Sequence, residues 1–211
     1  MSQQQEDAAI TVFADYVCPF CYLGRESLRQ YQDSRDEELE VDWHPFDLRA
    51  QKRDENGEID HDVDDGKDDD YYSQARENVK RLQEQYDVEM VQELVTDVDS
   101  LDAQVVSYFV KEHYPYETWA EFDESVYDAL WKDGRDIGDA DVLVELADEA
   151  GVDPDEVRSA LDDDTLRSEV EEQFQVAHQQ GITGVPTFAY DGHAARGAVP
   201  PEQLERLVEG A

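Results

Sequence analysis

Only two of the 211 residues are cysteines, only two are methionines and only five are lysines. Two cysteines allow one disulfide at most, which excludes a small scaffold held by several cross-links. Basic residues are scarce as a class: 17 Lys plus Arg face 55 Asp plus Glu, for a formal net charge of −38. A phosphate backbone or an anionic bilayer surface would be repelled by such a chain, so neither nucleic acid nor membrane is an expected partner. Long apolar runs are missing as well. Stretches such as VVSYFV fall far short of a membrane span. The first residues, MSQQQEDAAITVF, lack a basic segment followed by an apolar run, so no secretory signal is expected. The expected location is the cytoplasm, where a disulfide is more often catalytic than structural. There is no glycine-rich phosphate loop, no serine-hydrolase elbow, no internal repeat and no low-complexity tract.

The acid excess does not read as disorder, because 39% of the residues are hydrophobic and 10% aromatic. Acids spread along amphipathic segments, with few lysines, resemble the composition of a cytoplasmic protein from an extreme halophile. Concentrated salt screens the self-repulsion of such a chain.

A length of 211 residues suits one domain with an insertion, or two small domains. Residues 8–14, AAITVFA, predict a short buried strand. Cys18 falls where a helix begins, with Pro19 at the favoured first position. Along that helix Cys21, Leu28 and Tyr31 share a face, with Gly24 between them. Residues 39–46 predict a second strand, completing a βαβ unit. From Arg53 to Asp70 the chain turns polar and aperiodic, which predicts an exposed, mobile acidic loop. Its Asp60, Asp62, Asp64 and Asp65 are hard oxygen ligands, yet they lack the spacing and glycine placement of a calcium loop, so no metal site is expected.

The middle of the chain is helical. Apolar faces are formed by Ala75, Val79, Leu82 and Tyr86, by Leu101, Val105, Tyr108 and Phe109, and by Trp119, Phe122, Val126 and Leu130. Helical spacing makes these stripes core rather than the lining of a ligand cleft. Asp139 is a cap candidate, and Asp153, Pro154 and Glu156 have the spacing of cap, first helical residue and capping-box partner. A further helix runs to Gly181, a strand follows GITGVPTFAY, and Asp191-Gly192 signals a hairpin into HAARGA. A last helix carries Leu204, Leu207 and Val208 on one face. The order is β-α-β, a helical block, then α-β-β-α, an α/β chain.

Both cysteines lie in DYVCPFCYLG, four positions apart. That is too close for a structural staple, which gains most from closing a long loop. A CxxC where a strand meets a helix reads as a thioredoxin-like redox motif. Cys18 at the helix start is expected to point into solvent, with Cys21 one turn inside, so that the sulfurs are neighbours. Unpaired amides and the macrodipole at a helix N-terminus favour a thiolate at Cys18. Cys18 is therefore the nucleophile, and Cys21 resolves the mixed disulfide. A zinc site needs two further ligands. There is no third cysteine, and His44, His61, His113, His178 and His193 show no paired metal spacing.

DYVCPFCYLG resembles the active-site signature of DsbA-like thioredoxin-fold oxidoreductases, and within them the cytoplasmic FrnE-like branch. GITGVPTF is similar to that family's cis-proline loop, and GRDIGDADVLVELADEAGV and GAVPPEQL also match. The resemblance implies a thioredoxin fold in two parts, residues 1–62 and 165–211, interrupted by a helical insertion at 63–164. It implies that Pro186 is the cis-proline, and that the Val185 backbone pairs with an extended substrate beside Cys18. Three features depart from the family pattern. Pro19-Phe20 lacks the imidazole of the strongly oxidising members, which removes a donor to the thiolate. Ala103-Gln104 and Gly197-Ala198-Val199-Pro200 replace more polar pairs that would contact a ligand. Asp15, three residues before Cys18, matches the family, and either modulates the thiols by charge or closes the turn.

The expected activity is thiol–disulfide exchange on protein or small-molecule thiols, supported by a separate redox-recycling partner and needing no cofactor. Two other readings share these residues. One is an isomerase like the 2-hydroxychromene-2-carboxylate isomerases, using a low-molecular-weight thiol beside Pro186. The other is a non-catalytic zinc-stabilised interaction protein.

Overall fold

The computed structural model describes residues 9–54, 57–60, 62–63 and 66–210. His61, Asp64 and Asp65 of the acidic segment lie outside the described residues.

Strand β1 (Ala9–Ala14) is the innermost apolar run of the chain, and buried neighbours on both sides explain why it reads as continuous rather than alternating. It pairs in parallel with β2 (Glu40–Pro45), from Ala9 opposite Glu40 to Ala14 opposite Pro45. Parallel neighbours need a crossover, which helix α1 (Pro19–Asp33) provides. On its other edge β1 runs antiparallel to β3 (Thr187–Tyr190), which returns through a tight hairpin as β4 (His193–Arg196). Asp191 and Gly192 take φ of 45° and 77° there, as a two-residue turn matched to strand twist requires. The sheet order is β2-β1-β3-β4, and α8 (Pro201–Glu209) closes the chain.

Between β2 and β3 the described residues form α2 (Asp69–Tyr86), α3 (Leu101–His113), α4 (Tyr116–Trp131), α5 (Ala140–Glu149), α6 (Pro154–Leu161) and α7 (Asp164–Gln179). This is a mixed α/β thioredoxin fold carrying a helical insertion. The aromatic stripes of α3 and α4 pack as core. Trp119, Phe122 and Trp131 share one buried cluster with Ile10, Tyr16 and Trp43 of the sheet side. The three tryptophans, Trp43, Trp119 and Trp131, are at most 3% exposed. Trp131 Nε1 donates to the Tyr16 carbonyl at 2.9 Å, pinning α4 to the turn after β1.

Two local expectations are corrected. Asp153 caps α6 by accepting from the Asp155 N–H at 2.8 Å, but Glu156 does not reach back to the cap. The Tyr114 hydroxyl stands between them, accepting from the Asp153 N–H at 3.2 Å and donating to Glu156 at 2.7 Å. Arg53, read as the start of a solvated loop, is instead anchored. Its guanidinium binds Asp99 through two bonds of 2.8 Å and Asp47 at 2.6 Å, leaving its side chain 12% exposed. Burial opposes its charge, but the two carboxylates hold its pKa above the ordinary value.

Candidate active site

Cys18 is the N-cap residue of α1, with extended backbone (φ −91°, ψ 114°), and Pro19 follows at the first turn. The missing proline N–H falls where a helix has no use for it. No side chain caps this helix and no acid sits in its first turn. The Cys18 N–H donates to the Asp15 carbonyl at 3.1 Å, and the Cys18 carbonyl accepts from the N–H groups of Cys21 (3.0 Å) and Tyr22 (3.3 Å). One helical turn thus carries both thiols, which are free.

The solvent-facing Cys18 of the sequence reading is not what the fold produces: Cys18 is 3% exposed and Cys21 2%. The segment before β3 folds over the helix start and places the Val185 carbonyl 3.7 Å from Cys18 Sγ. Access to Cys18 is through a cleft of about 580 Å³, lined by Cys18, Phe20, Leu48, Tyr71, Tyr72 and Val185 among others. Cys21 does not line the cleft. Its pKa is pushed well above the usual thiol value, chiefly by burial and then by the Cys18 thiol beside it, so in the reduced pair it keeps its proton.

The Val185–Pro186 peptide bond is cis. The Pro186 carbonyl accepts from the Gly197 N–H at 2.8 Å, and Thr187 Oγ1 donates to the Gly184 carbonyl at 2.8 Å, which fixes this loop from both sides. Behind it, α1 must come close, and Gly24 allows that. A Cβ on Gly24 would stand 3.0 Å from Pro186 Cγ and 3.1 Å from Phe188 Cζ. The sequence offered one signal for this contact, a glycine in mid-helix where alanine is better by about 1 kcal/mol.

Asp15 is 1% exposed and closes the turn while lying next to the thiols. Its carboxylate accepts from the N–H groups of Val17 (3.2 Å) and Leu48 (2.8 Å) and from Ser100 Oγ (2.5 Å). Burial raises its pKa to about 6 against the pull of these donors, with Asp47 adding repulsion. When ionised, it raises the Cys21 pKa in turn. Gln104, read from the family pattern as a lost ligand contact, is fully buried in the interior. Its Oε1 accepts from the Phe46 N–H and its Nε2 donates to Ser100 Oγ, both at 3.2 Å. Val199 is likewise buried, with its carbonyl accepting from Ser27 Oγ at 2.6 Å.

Sequence reasoning missed the support behind Cys21. Arg25, one turn further along α1, forms an ion pair with the buried Asp123 of α4. Asp123 also accepts from the Tyr16 hydroxyl at 2.8 Å, and Tyr16 lies 2.7 Å from Ser107 Oγ. Nothing in local spacing joins residues 25 and 123. Among the described residues no group of three or more His, Cys, Asp or Glu side chains is placed to hold a metal.

A four-stranded sheet with a CxxC at the start of its first helix, facing a cis-proline loop, defines a thioredoxin-fold protein built around a pair of thiols. The chain belongs to the DSBA-like thioredoxin domain family, whose model matches residues 9–209. It is similar to the uncharacterized protein YwbO of Bacillus subtilis (strain 168), 29% identical over 201 residues that cover 94% of each chain. A probable DsbA oxidoreductase from Streptomyces coelicolor has the same fold at a TM-score of 0.76 and 23% identity, covering 96% of this chain and 88% of that one. A 2-hydroxychromene-2-carboxylate isomerase matches at a TM-score of 0.74 and 16% identity, over 93% of this chain and 92% of that one. Family and fold together make this an enzyme of the oxidoreductase or isomerase type.

Proposed function

We propose that the chain is a cytoplasmic thiol–disulfide oxidoreductase of the FrnE-like branch, acting on protein or small-molecule thiols, and that its charge balance is that of an extreme halophile. One observation carries the exchange reading: the two free thiols are divided between two environments, Cys18 on the cleft and Cys21 behind it, protonated. In the reducing direction the Cys18 thiolate attacks one sulfur of a substrate disulfide. The substrate disulfide breaks, a Cys18–substrate disulfide forms, and the departing thiolate takes up a proton. Cys21 then loses its proton and attacks the Cys18 sulfur, releasing the second substrate thiol and leaving Cys18–Cys21 oxidised. The oxidising direction is the same path reversed. The recycling partner resets the pair in either case. Val185 offers its carbonyl beside the reacting sulfur, where an extended substrate backbone is able to pair. Phe20 and Pro19 form the neighbouring wall of the cleft.

A second reading has its own support. A cleft of about 580 Å³ with Tyr71, Tyr72 and Phe20 on its walls suits a small aromatic substrate together with a low-molecular-weight thiol, as an isomerase needs. That chemistry has no use for Cys21. Substitution of each cysteine separates the two. Cys21→Ser should accumulate substrates covalently attached to Cys18, visible on a non-reducing gel of lysate in high salt, and Cys18→Ser should accumulate none. Retained activity in Cys18→Ser, without adducts in Cys21→Ser, would refute the redox reading in favour of the isomerase.

A further inference from the structure

The cleft beside Cys18 reverses the charge balance of the chain. Acids outnumber Lys plus Arg by 55 to 17 overall. Among the described residues that line the cleft, Asp47 is the one acid, whereas Arg49, Lys52 and Lys67 are cations. Two of the five lysines in the chain are thus spent on this one cleft. Asp47 does little to offset them. It is buried, and its carboxylate is taken up by the Arg53 guanidinium at 2.6 Å and the Arg49 N–H at 3.0 Å.

Apolar surface gathers in the same place. Four large hydrophobic side chains are exposed among the described residues, and two of them, Leu48 and Tyr71, line the cleft. The Lys67 ammonium lies 5.8 Å from the centre of the Tyr71 ring, so charge and apolar surface are presented together there. The Arg49 guanidinium donates to the carbonyls of Val95 (2.7 Å) and Val98, neutral acceptors that fix the group without discharging it.

We propose that the cleft receives an extended segment of an acidic protein client, with Asp or Glu flanking its cysteine. The proposal rests on the exchange reading above and names its substrate class. Charge complementarity assigns the acidic side chains to Arg49, Lys52 and Lys67, and apolar ones beside them to Leu48 and Tyr71. The client backbone runs beside Val185, whose carbonyl stands 3.7 Å from Cys18 Sγ. The Cys18 thiolate attacks the client sulfur held there. The client disulfide breaks, a Cys18–client disulfide forms, and the displaced thiolate takes up a proton.

Two electrostatic effects oppose one another, and the screening length separates them. At long range a molecule of net charge −38 repels an acidic segment. In 1 M salt that repulsion is screened beyond about 3 Å, and only groups in contact act. A preference measured in high salt therefore reports the cleft, and its sign is opposite to that of the whole molecule.

The test uses the reduced full chain in high salt and synthetic peptides with one cysteine flanked by Glu, by Gln or by Lys. Each peptide carries a thiopyridyl group on its sulfur. Attack by Cys18 joins the peptide to Cys18 and releases thiopyridone, which stopped-flow absorbance follows. Dividing each rate by that of mercaptoethanol with the same peptide removes differences in intrinsic reactivity. The Glu peptide should react roughly three- to tenfold faster than the Gln peptide, as a few surface ion pairs allow, and the Lys peptide slowest. Lys52→Gln combined with Lys67→Gln should bring the Glu-to-Gln ratio close to one. Lys80→Gln removes the same charge from a lysine that pairs with Glu93 and does not line the cleft, and should keep the ratio. If the double variant does not fold, the three peptides on the unsubstituted protein decide alone. A Glu-to-Gln ratio of one or less there would overturn the proposal, as would a ratio that survives loss of both lysines or falls equally in Lys80→Gln. An equal preference for dithiodipropionate over bis(hydroxyethyl) disulfide would also overturn it, and would assign the cleft to small anionic disulfides. Absence of thiopyridone release from every peptide would overturn the exchange reading as well.

Discussion

Asp15 sits where charge is poorly tolerated, and its titration has a definite consequence for stability. In the unfolded chain its pKa is the ordinary 3.8; in the fold it rises to about 6. Between those values the folded state holds a proton that the unfolded state has released. The stability contributed by this residue is therefore complete below pH 3.8 and is lost as pH rises through 6. A shift of about two units corresponds to about 3 kcal/mol. Asp15→Asn never ionises, but leaves the Leu48 N–H without its acceptor, at a cost of about 1–3 kcal/mol. The variant should be the less stable protein at pH 4, and the difference should shrink or reverse by pH 7. Urea unfolding of both proteins at the two pH values, in high salt, measures this. The other carboxylates cancel in the comparison, so a difference that does not move with pH would contradict the buried-acid assignment.

Helix α1 is the element on which the site depends, because it presents the thiols at one end and admits the Pro186 loop at its middle. Gly24→Ala should raise intrinsic helix propensity by about 1 kcal/mol while overfilling the contact with Pro186 and Phe188, at about 1–3 kcal/mol. The expected result is a net loss of up to about 2 kcal/mol in thermal unfolding, the difference between those two effects. Attack of Cys18 on an added disulfide reagent, followed by absorbance, should slow with it, because the displaced loop carries Val185. The same element shows how far the sequence was legible. Its start, its proline and its buried face follow from residues within a turn of one another, as do the βαβ order and the Asp191-Gly192 hairpin. Burial of Cys18 was not legible, since the carbonyl covering it lies 167 positions away. The capping box at Asp153 failed for the same reason: a tyrosine 39 residues earlier took the position. Arg53 looked like one more charge in a polar run because its partner Asp99 lies 46 residues on. Periodicity and turn chemistry are local signals, whereas coverage and ion pairing depend on which distant segments the fold brings together.

At the scale of the whole molecule, self-repulsion governs. With a net charge of −38, the compact state is strained whenever its charges see one another. The screening length is about 3 Å in 1 M salt and about 30 Å in 0.01 M salt. The midpoint of thermal unfolding should therefore fall steadily as KCl is lowered from molar to millimolar concentration. A midpoint that stays level would contradict the halophilic reading. The loss should be cooperative, because the most extensive buried cluster spans sheet and insertion.

That shared cluster also holds every indole in the chain. Trp43 borders the same small space as Cys21, Trp131 lies 6.4 Å from the ring of Tyr22, and Trp119 lies 6.4 Å from Trp43. Ultraviolet emission from this protein thus originates in one place, behind the thiols. It should be blue in the native state, change in intensity when the pair is oxidised, and shift red only when the whole interior opens. The molecule carries its own optical gauge of redox state and of folding, with no label attached.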